Sequence, residues 1–201
     1  MNPAAILYMK NGSKIVIELL PEKAPNTVSS FIYAAQQGFF HNHKIERIVP
    51  GSWVDMSYRA FGHQQAKYLI PWEYQFNPEL EPIEPAPGCV AMGGYDEMGE
   101  AGCEFFFPLR ECPDLKGQFP VFGYVREGME EIYRLGKVEI FPVTNCPHLD
   151  FVVNEPVEPE ILERVELELF GQVYPQPVRV DHPELPDCWF MDEAKMIIQE
   201  K

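Results

Sequence analysis

Proline is the residue that most restricts how this chain can fold. Twenty prolines occur among its 201 residues, and they are spread along the whole sequence. Because proline lacks a backbone N–H and has a fixed φ, it breaks helices and is excluded from central strands. The chain is therefore expected to form short strands connected by loops, and a helical bundle is disfavoured.

Charge and cysteine content narrow the class of protein. Hydrophobic residues make up 46% and charged residues 23% of the sequence, as in ordinary globular domains. The net charge of -15 opposes binding to phosphate backbones, so no nucleic-acid partner is expected. The five cysteines are odd in number, which does not suit a disulfide framework. The amino terminus does not resemble a secretory leader, and no apolar run has the length of a membrane span. We expect a cytoplasmic protein with no membrane partner.

The first twenty residues have the pattern of a β-hairpin. Two β-like runs, residues 4–9 and 14–20, flank Asn11-Gly12, a dipeptide that tolerates the positive φ angles of tight hairpin turns. In the second run Ile15, Ile17 and Leu19 alternate with other residues, so one face of the strand is more apolar. This period of two predicts a half-buried strand pair.

Two short helices are expected. Apolar residues recur at helical spacing from Val28, shortly after Pro25, and Gly38 follows them. Proline suits a first helical turn and glycine suits a helix end, so one amphipathic helix of about three turns is predicted. A second short helix is expected between Gly128 and Gly136.

The rest of the chain favours further short strands and loops. Strands are expected over residues 45–49, 53–57, 89–92, 104–109, 121–125 and 163–170. Segments 71–87 and 141–159 are expected to be irregular, and residues 172–201 to form an extended tail ending in a short helix near Glu193. The pattern predicts an all-β fold, a closed antiparallel β-barrel capped by two short helices. Residues 1–171 would form this domain, with residues 172–201 as an extension packed on it or trailing from it.

Several segments occur in a recognisable order. They are residues 17–28 (IELLPEKAPNTV), 47–51 (RIVPG), 88–92 (GCVAM), 104–106 (EFF), 115–118 (LKGQ) and 121–129 (VFGYVREGM). In order and spacing they resemble the cyclophilin-type peptidyl-prolyl cis-trans isomerases, here a divergent, bacterial-like member. The resemblance covers residues 5–138 and extends to the expected closing strand.

The resemblance implies both an activity and a site. The activity is rotation about Xaa-Pro peptide bonds in proline-containing peptides or unfolded proteins, with no cofactor and no metal. Arg47 matches the catalytic arginine of the R-x-x-P-G segment. The matched substrate-binding positions are Trp53, Asp55, Gly93, Glu104, Phe106, Leu115 and Phe119.

The chemistry explains why an arginine and an apolar slot suffice. Amide rotation must overcome a barrier of about 18–20 kcal/mol that resonance imposes. Twisting the bond localises a lone pair on the prolyl nitrogen, so a nearby guanidinium binds the twisted state better than the planar one. This reaction needs no nucleophile, metal or general base.

Departures from the family pattern leave two hypotheses open. Ser52-Trp53 replaces Phe-Met, Asp55 replaces a glutamine, and Gly93-Gly94 replaces Ala-Asn. Asp114 stands where many eukaryotic members have tryptophan, and Phe119 stands at the position of a pocket histidine. The chain is therefore expected to be an isomerase of low activity. The alternative is a non-catalytic proline-binding or scaffold protein with a degenerate pocket.

Two other groups of residues are weaker candidates for a functional site. His41 and His43 have no evident third ligand nearby, so a solvated loop is favoured over a metal site. Cys146-Pro147-His148 is more typical of a loop, because the partners of a cysteine–histidine catalytic pair are usually distant in sequence.

A carboxylate pair is also conceivable among Glu97, Glu100 and Glu104. Gly99 and Gly102 lie between them and favour a turn. With 31 acidic residues in the chain, such groupings arise by chance.

Overall fold

Short antiparallel strands dominate the structure, as the prolines predicted. The computed structural model describes residues 1–57, 64–144, 153–190 and 197–198. Its strands are β1 (Ala4–Met9), β2 (Lys14–Leu19), β3 (His43–Lys44), β4 (Arg47–Val49), β5 (Trp53–Asp55), β6 (Leu69–Ile70), β7 (Cys89–Tyr95), β8 (Gly99–Pro108), β9 (Val121–Glu127), β10 (Ile140–Thr144), β11 (Val153–Pro156), β12 (Ile161–Glu168) and β13 (Ile197–Ile198). The helices are α1 (Pro25–Gln36), α2 (Glu73–Phe76) and α3 (Met129–Leu135). Short 3₁₀ turns occur at Gln64–Ala66, Pro113–Leu115 and Asp187–Phe190.

Ten strands form one curled antiparallel sheet. Its order is β3-β12-β1-β2-β9-β7-β8-β5-β4, and β6 pairs with β8 beside this path. The all-β, barrel-like class is confirmed, but closure is only partial. Within the described residues the edge strands β3 and β4 are not paired with each other. Only two residues, 45 and 46, separate them in sequence, so the chain itself connects the two edges.

The predicted hairpin is present. The Met9 amide donates to the Ser13 carbonyl, and the Ser13 amide donates to the Asn11 side chain. Gly12 has φ +91°, a value that costs glycine little. Along β2 buried and less buried residues alternate, with Ile15 and Leu19 fully buried. The period of two therefore identified the core face correctly.

Helices α1 and α3 lie where the sequence placed them. Pro25 occupies the first turn of α1, and the Gly38 amide closes its carboxyl end by donating to a carbonyl of the last turn. The apolar face of α1 packs into the core, where the Phe31 ring lies 5.2–5.5 Å from the rings of Phe40, Phe105 and Phe122. The sheet therefore curls around an aromatic centre.

Helix α2 was not predicted, because it lies in the proline-rich segment expected to be a loop. Its Glu73 carboxylate accepts hydrogen bonds from the Thr27 amide and hydroxyl, both at 2.7 Å. The first amides of a helix have no partner within the helix, and α1 has no side-chain cap of its own. A single turn 46 residues away therefore supplies the missing cap.

Two further expectations were wrong. Segment 141–159 is not irregular throughout: β10 pairs with β11 and β13 in a second, three-stranded sheet. Gly99 and Gly102 do not place Glu100 and Glu104 in a turn, because β8 runs through all four residues. A Cβ on Gly102 would lie 2.1 Å from the Tyr68 ring, so this glycine permits close packing.

The bounds of the strand that follows β11 also differ from those expected. β12 begins two residues before the expected position 163 and ends at Glu168. It pairs with β1 along most of its length. The alternating apolar residues therefore predicted the strand itself but not its ends.

Residues 172–190 contact the sheet at several points. The Val180 amide donates to the Leu69 carbonyl at 2.9 Å, and Trp189 is buried beside Leu69 and Ala101. The helix expected near Glu193, like Cys146-Pro147-His148, lies outside the described residues. Within the described part, no helix is long and apolar enough to span a membrane.

Candidate active site

One pocket contains all the site residues expected from the sequence. It has a volume of about 380 Å³ and is lined by Arg47, Trp53, Asp55, Gly93, Glu104, Phe106, Leu115 and Phe119, together with Gly94, Tyr95, Asp96 and Phe105. Ser52 and Asp114, two of the departures from the family pattern, are not among the lining residues. Asp114 is exposed on the 3₁₀ turn that leads to Leu115.

Strand register brings the central residues together. Arg47 on β4 lies directly opposite Asp55 on β5, and Asp55 lies directly opposite Phe106 on β8. Directly opposite residues of antiparallel strands project from the same face of a sheet. The three side chains therefore form a row across three strands at the pocket.

The pocket floor is aromatic. The Phe106 ring lies 5.9 Å from the rings of both Trp53 and Phe119, and Leu115 packs in the same cluster. Phe105 and Phe107, the neighbours of Phe106 on β8, belong to the main core instead. Strand alternation therefore turns the Phe106 side chain towards the aromatic floor, and the slot suits a small apolar ring.

The candidate arginine is held by an ion pair. Arg47 Nη1 donates to Asp55 Oδ2 at 2.7 Å, and Trp53 Nε1 donates to the same oxygen at 3.3 Å. Burial raises the pKa of Asp55, while the positive charge of Arg47 and the indole hydrogen bond oppose this rise. The carboxylate thus fixes the guanidinium and reduces the positive potential that it projects.

A second carboxylate lies in the pocket wall. Glu104 is 7% exposed, and its Oε2 accepts a hydrogen bond from the Tyr95 hydroxyl at 2.9 Å. Its Oε1 accepts from Trp189 Nε1 at 3.1 Å. Sequence reasoning missed both donors. The available signal for Trp189 was a single tryptophan in a proline-rich extension.

Cysteine nucleophile chemistry is not favoured at this site. Cys89 packs in the same cluster as Phe106, and burial raises the pKa of its thiol. The thiolate, not the thiol, is the nucleophilic form. Within the described residues, no group of three or more His, Cys, Asp and Glu side chains could hold a metal ion.

The sequence of this chain matches the model of a known protein family. The family described as "Cyclophilin type peptidyl-prolyl cis-trans isomerase/CLD" matches residues 6–155. The chain belongs to the cyclophilin family. The matched range contains every candidate site residue but ends before the extension that carries Trp189.

Individual cyclophilins are moderately similar in sequence. Peptidyl-prolyl cis-trans isomerase B of Bacillus subtilis is 33% identical over 124 residues, covering 61% of this chain and 82% of that protein. The mouse peptidylprolyl isomerase domain and WD repeat-containing protein 1 is 28% identical over 153 residues. That match covers 75% of this chain, and the chain spans only 23% of the length of the mouse protein.

Solved cyclophilin structures share the fold. A Cryptosporidium parvum cyclophilin, crystallised in the presence of the dipeptide Ala-Pro, has a TM-score of 0.60 at 17% identity. The match covers 82% of this chain and 98% of that one. The cyclophilin AquaCyp293 of Hirschia baltica has a TM-score of 0.61 at 15% identity, covering 86% of this chain and 75% of that one.

Proposed function

We propose that this cyclophilin catalyses cis/trans isomerisation of Xaa-Pro peptide bonds. The observation that carries the proposal is the row of Arg47, Asp55 and Phe106 across three strands, which places a guanidinium beside an aromatic slot. Family membership and relatives named as isomerases support the same activity.

The apolar cluster provides the ground-state binding. A proline ring docked between Trp53, Phe106 and Phe119 would lose contact with water, and this loss favours binding. The side chains of the floor would not need to move. The ring is thereby fixed while the acyl side of the bond remains able to rotate. Binding of this kind is equal for the cis, trans and twisted forms and does not by itself accelerate rotation.

Acceleration comes from Arg47. Its guanidinium donates hydrogen bonds but cannot accept them, and it stays charged at all relevant pH values. When the bond twists, the prolyl nitrogen becomes a hydrogen-bond acceptor, and the arginine binds this state preferentially. Each tenfold of rate requires about 1.4 kcal/mol of such differential binding.

The experiment is exchange NMR on a short Ala-Pro peptide, with and without catalytic amounts of protein. Uncatalysed exchange takes tens to hundreds of seconds, so even modest acceleration is measurable. We expect faster exchange with the wild type and little with Arg47→Ala. An unaccelerated exchange with the wild type would reject the proposal.

The second candidate function is proline-peptide binding without efficient catalysis. The ion pair between Arg47 and Asp55 favours it, because the carboxylate neutralises part of the charge that catalysis requires. This protein would then bind Ala-Pro peptides with a measurable Kd but leave their exchange rate unchanged. Titration and exchange on the same samples separate the two functions.

The physiological substrates are proposed to be flexible proline-containing segments of peptides or unfolded proteins, so that the protein would assist folding. The Cryptosporidium parvum cyclophilin was crystallised in the presence of the dipeptide Ala-Pro, which supports this ligand class. We also propose a cytoplasmic location. It is supported by three buried cysteines in the described part of the chain, Cys89, Cys103 and Cys112, which are free thiols.

A further inference from the structure

Hydrogen bonds to its backbone fasten the carboxyl-terminal extension to helix α1 and to the sheet. The side-chain amide of Asn26 donates to the Val178 carbonyl at 3.1 Å and accepts from the Val178 amide at 2.8 Å. Two residues later, the Val180 amide donates to the carbonyl of Leu69 on β6 at 2.9 Å. These bonds direct the chain along β6, which pairs with β8, the strand that carries Glu104.

The extension then reaches the pocket wall through Trp189. This side chain is 2% exposed, packs beside Leu69 and Ala101, and meets the Tyr95 ring edge-on at 5.7 Å. Its Nε1 lies 3.1 Å from Glu104 Oε1 and 3.0 Å from the Tyr95 hydroxyl oxygen. The Tyr95 hydroxyl donates to Glu104 Oε2 at 2.9 Å. Both oxygens of one pocket carboxylate are therefore held by aromatic donors.

We propose that Trp189 is a positioning residue for substrate binding. By donating from Nε1, it fixes the Glu104 carboxylate in the orientation that accepts a backbone N–H of the bound peptide. This inference rests on the proposed function of the pocket, and it makes the extension part of the binding site. Glu104 contacts the substrate, whereas Trp189 acts only through Glu104.

The physical reason is pre-organisation. A glutamate side chain has several rotatable bonds, and fixing them before the substrate arrives removes an entropic cost from binding. Hydrogen bonds to a carboxylate are directional and stronger than those between neutral groups, so two donors define its plane well. Loss of one donor leaves the carboxylate in place but less well oriented.

The test uses Trp189→Phe, which keeps an apolar ring in the buried site but removes the N–H. We expect KM and Kd for an Ala-Pro peptide to rise by about three- to tenfold, with kcat changed by less than about twofold. Tyr95→Phe removes the other donor and should act in the same direction. The control is Phe190→Leu, at the adjacent position, where the side chain is 59% exposed and no change is expected.

A double-mutant cycle distinguishes positioning from a merely structural role. In a Glu104→Ala background, Trp189→Phe should have no further effect on KM or Kd, because the group it orients is gone. A purely structural tryptophan would raise both constants equally in the two backgrounds, and that result would overturn the inference. If Trp189→Phe does not fold, the same cycle with Tyr95→Phe decides whether oriented donors matter.

Measuring both Kd and exchange keeps this inference separate from the proposed function. A wild type that binds peptide without accelerating exchange, combined with the expected Kd cycle, would reject catalysis and retain positioning. A wild type that catalyses, combined with unchanged KM and Kd in Trp189→Phe, would reject positioning and retain catalysis. A wild type that neither binds nor catalyses would reject both.

Discussion

Replacing Asp55 with glutamine should reveal how much the ion pair limits catalysis. The Asp55 carboxylate lies 2.7 Å from Arg47 Nη1 and offsets the positive potential that stabilises the twisted amide. Glutamine is the residue that the family pattern has here, and it can still accept a hydrogen bond from Arg47. It adds a neutral donor that can reach a substrate carbonyl. We therefore expect kcat/KM to rise.

The size of the gain follows from the geometry. A prolyl nitrogen hydrogen-bonded on the far side of the guanidinium would lie about 6 Å from the carboxylate. With about 0.3 of an elementary charge on that nitrogen and an effective dielectric constant of about 20, the repulsion that is removed is about 0.8 kcal/mol. This corresponds to about a fourfold gain. A hydrogen bond from the new amide, contributing about 1 kcal/mol, would extend the gain to about twentyfold.

The assay is exchange NMR on an uncharged Xaa-Pro peptide at matched ionic strength. Asp55→Asn serves as an isosteric companion, because Asp55 is buried and the longer glutamine must be accommodated. Asp114→Asn is the charge-matched control: it removes one exposed negative charge outside the lining residues, and we expect little change. A clear loss of activity in both Asp55 variants would show instead that the carboxylate holds Arg47 in its productive orientation.

The pH dependence provides a second readout of the same argument. Because burial raises the pKa of Asp55, protonation begins at a higher pH than for an exposed aspartate. Lowering the pH neutralises the carboxylate and should raise wild-type kcat/KM, whereas Asp55→Gln should lack this rise. Identical acid limbs in the two proteins would assign the effect to another group.

Three further predictions concern other residues. Arg47→Ala should abolish most of the catalysed exchange while retaining a cooperative thermal transition; full activity in this variant would disprove the proposed mechanism. Cyclosporin should bind about tenfold or more weakly than to members with tryptophan at the position of Asp114, since a short charged side chain lacks the apolar area and N–H of an indole; tight binding in a calorimetric titration would contradict the alignment. Burial raises the pKa of Glu100 well above its ordinary value, so its contribution to stability is present at low pH and lost as the pH rises through the folded-state pKa. The Tm of Glu100→Gln should therefore rise relative to the Tm of the wild type as the pH increases. A difference in Tm that stays constant across the pH range would argue against a protonated Glu100.

Local sequence determined the elements whose stabilising pattern is contained within a short window. The Asn11-Gly12 turn, the alternating β2 strand and helix α1 depend on backbone preferences and on periodicities of two and 3.6, which need no distant partner. The sequence alone also determines the order of the segments that match the family pattern. Since each segment occupies a defined place in a known fold, the sequence alone was sufficient to group all eight candidate residues, and they line one pocket. The structure adds that Arg47 and Asp55, which lie opposite each other on β4 and β5, form an ion pair.

Tertiary structure decided the contacts that join distant segments. Glu73 caps α1 from 46 residues away, and Trp189 reaches Glu104 across 85 residues. Neither pairing leaves a periodic or compositional trace, because a hydrogen bond between remote groups constrains only two positions. The turn at α2 formed despite its proline-rich surroundings, since its glutamate satisfies amides that would otherwise be buried without partners. Partial closure of the sheet was likewise undetermined by the sequence, because strand patterns fix which face is buried but not which edges meet.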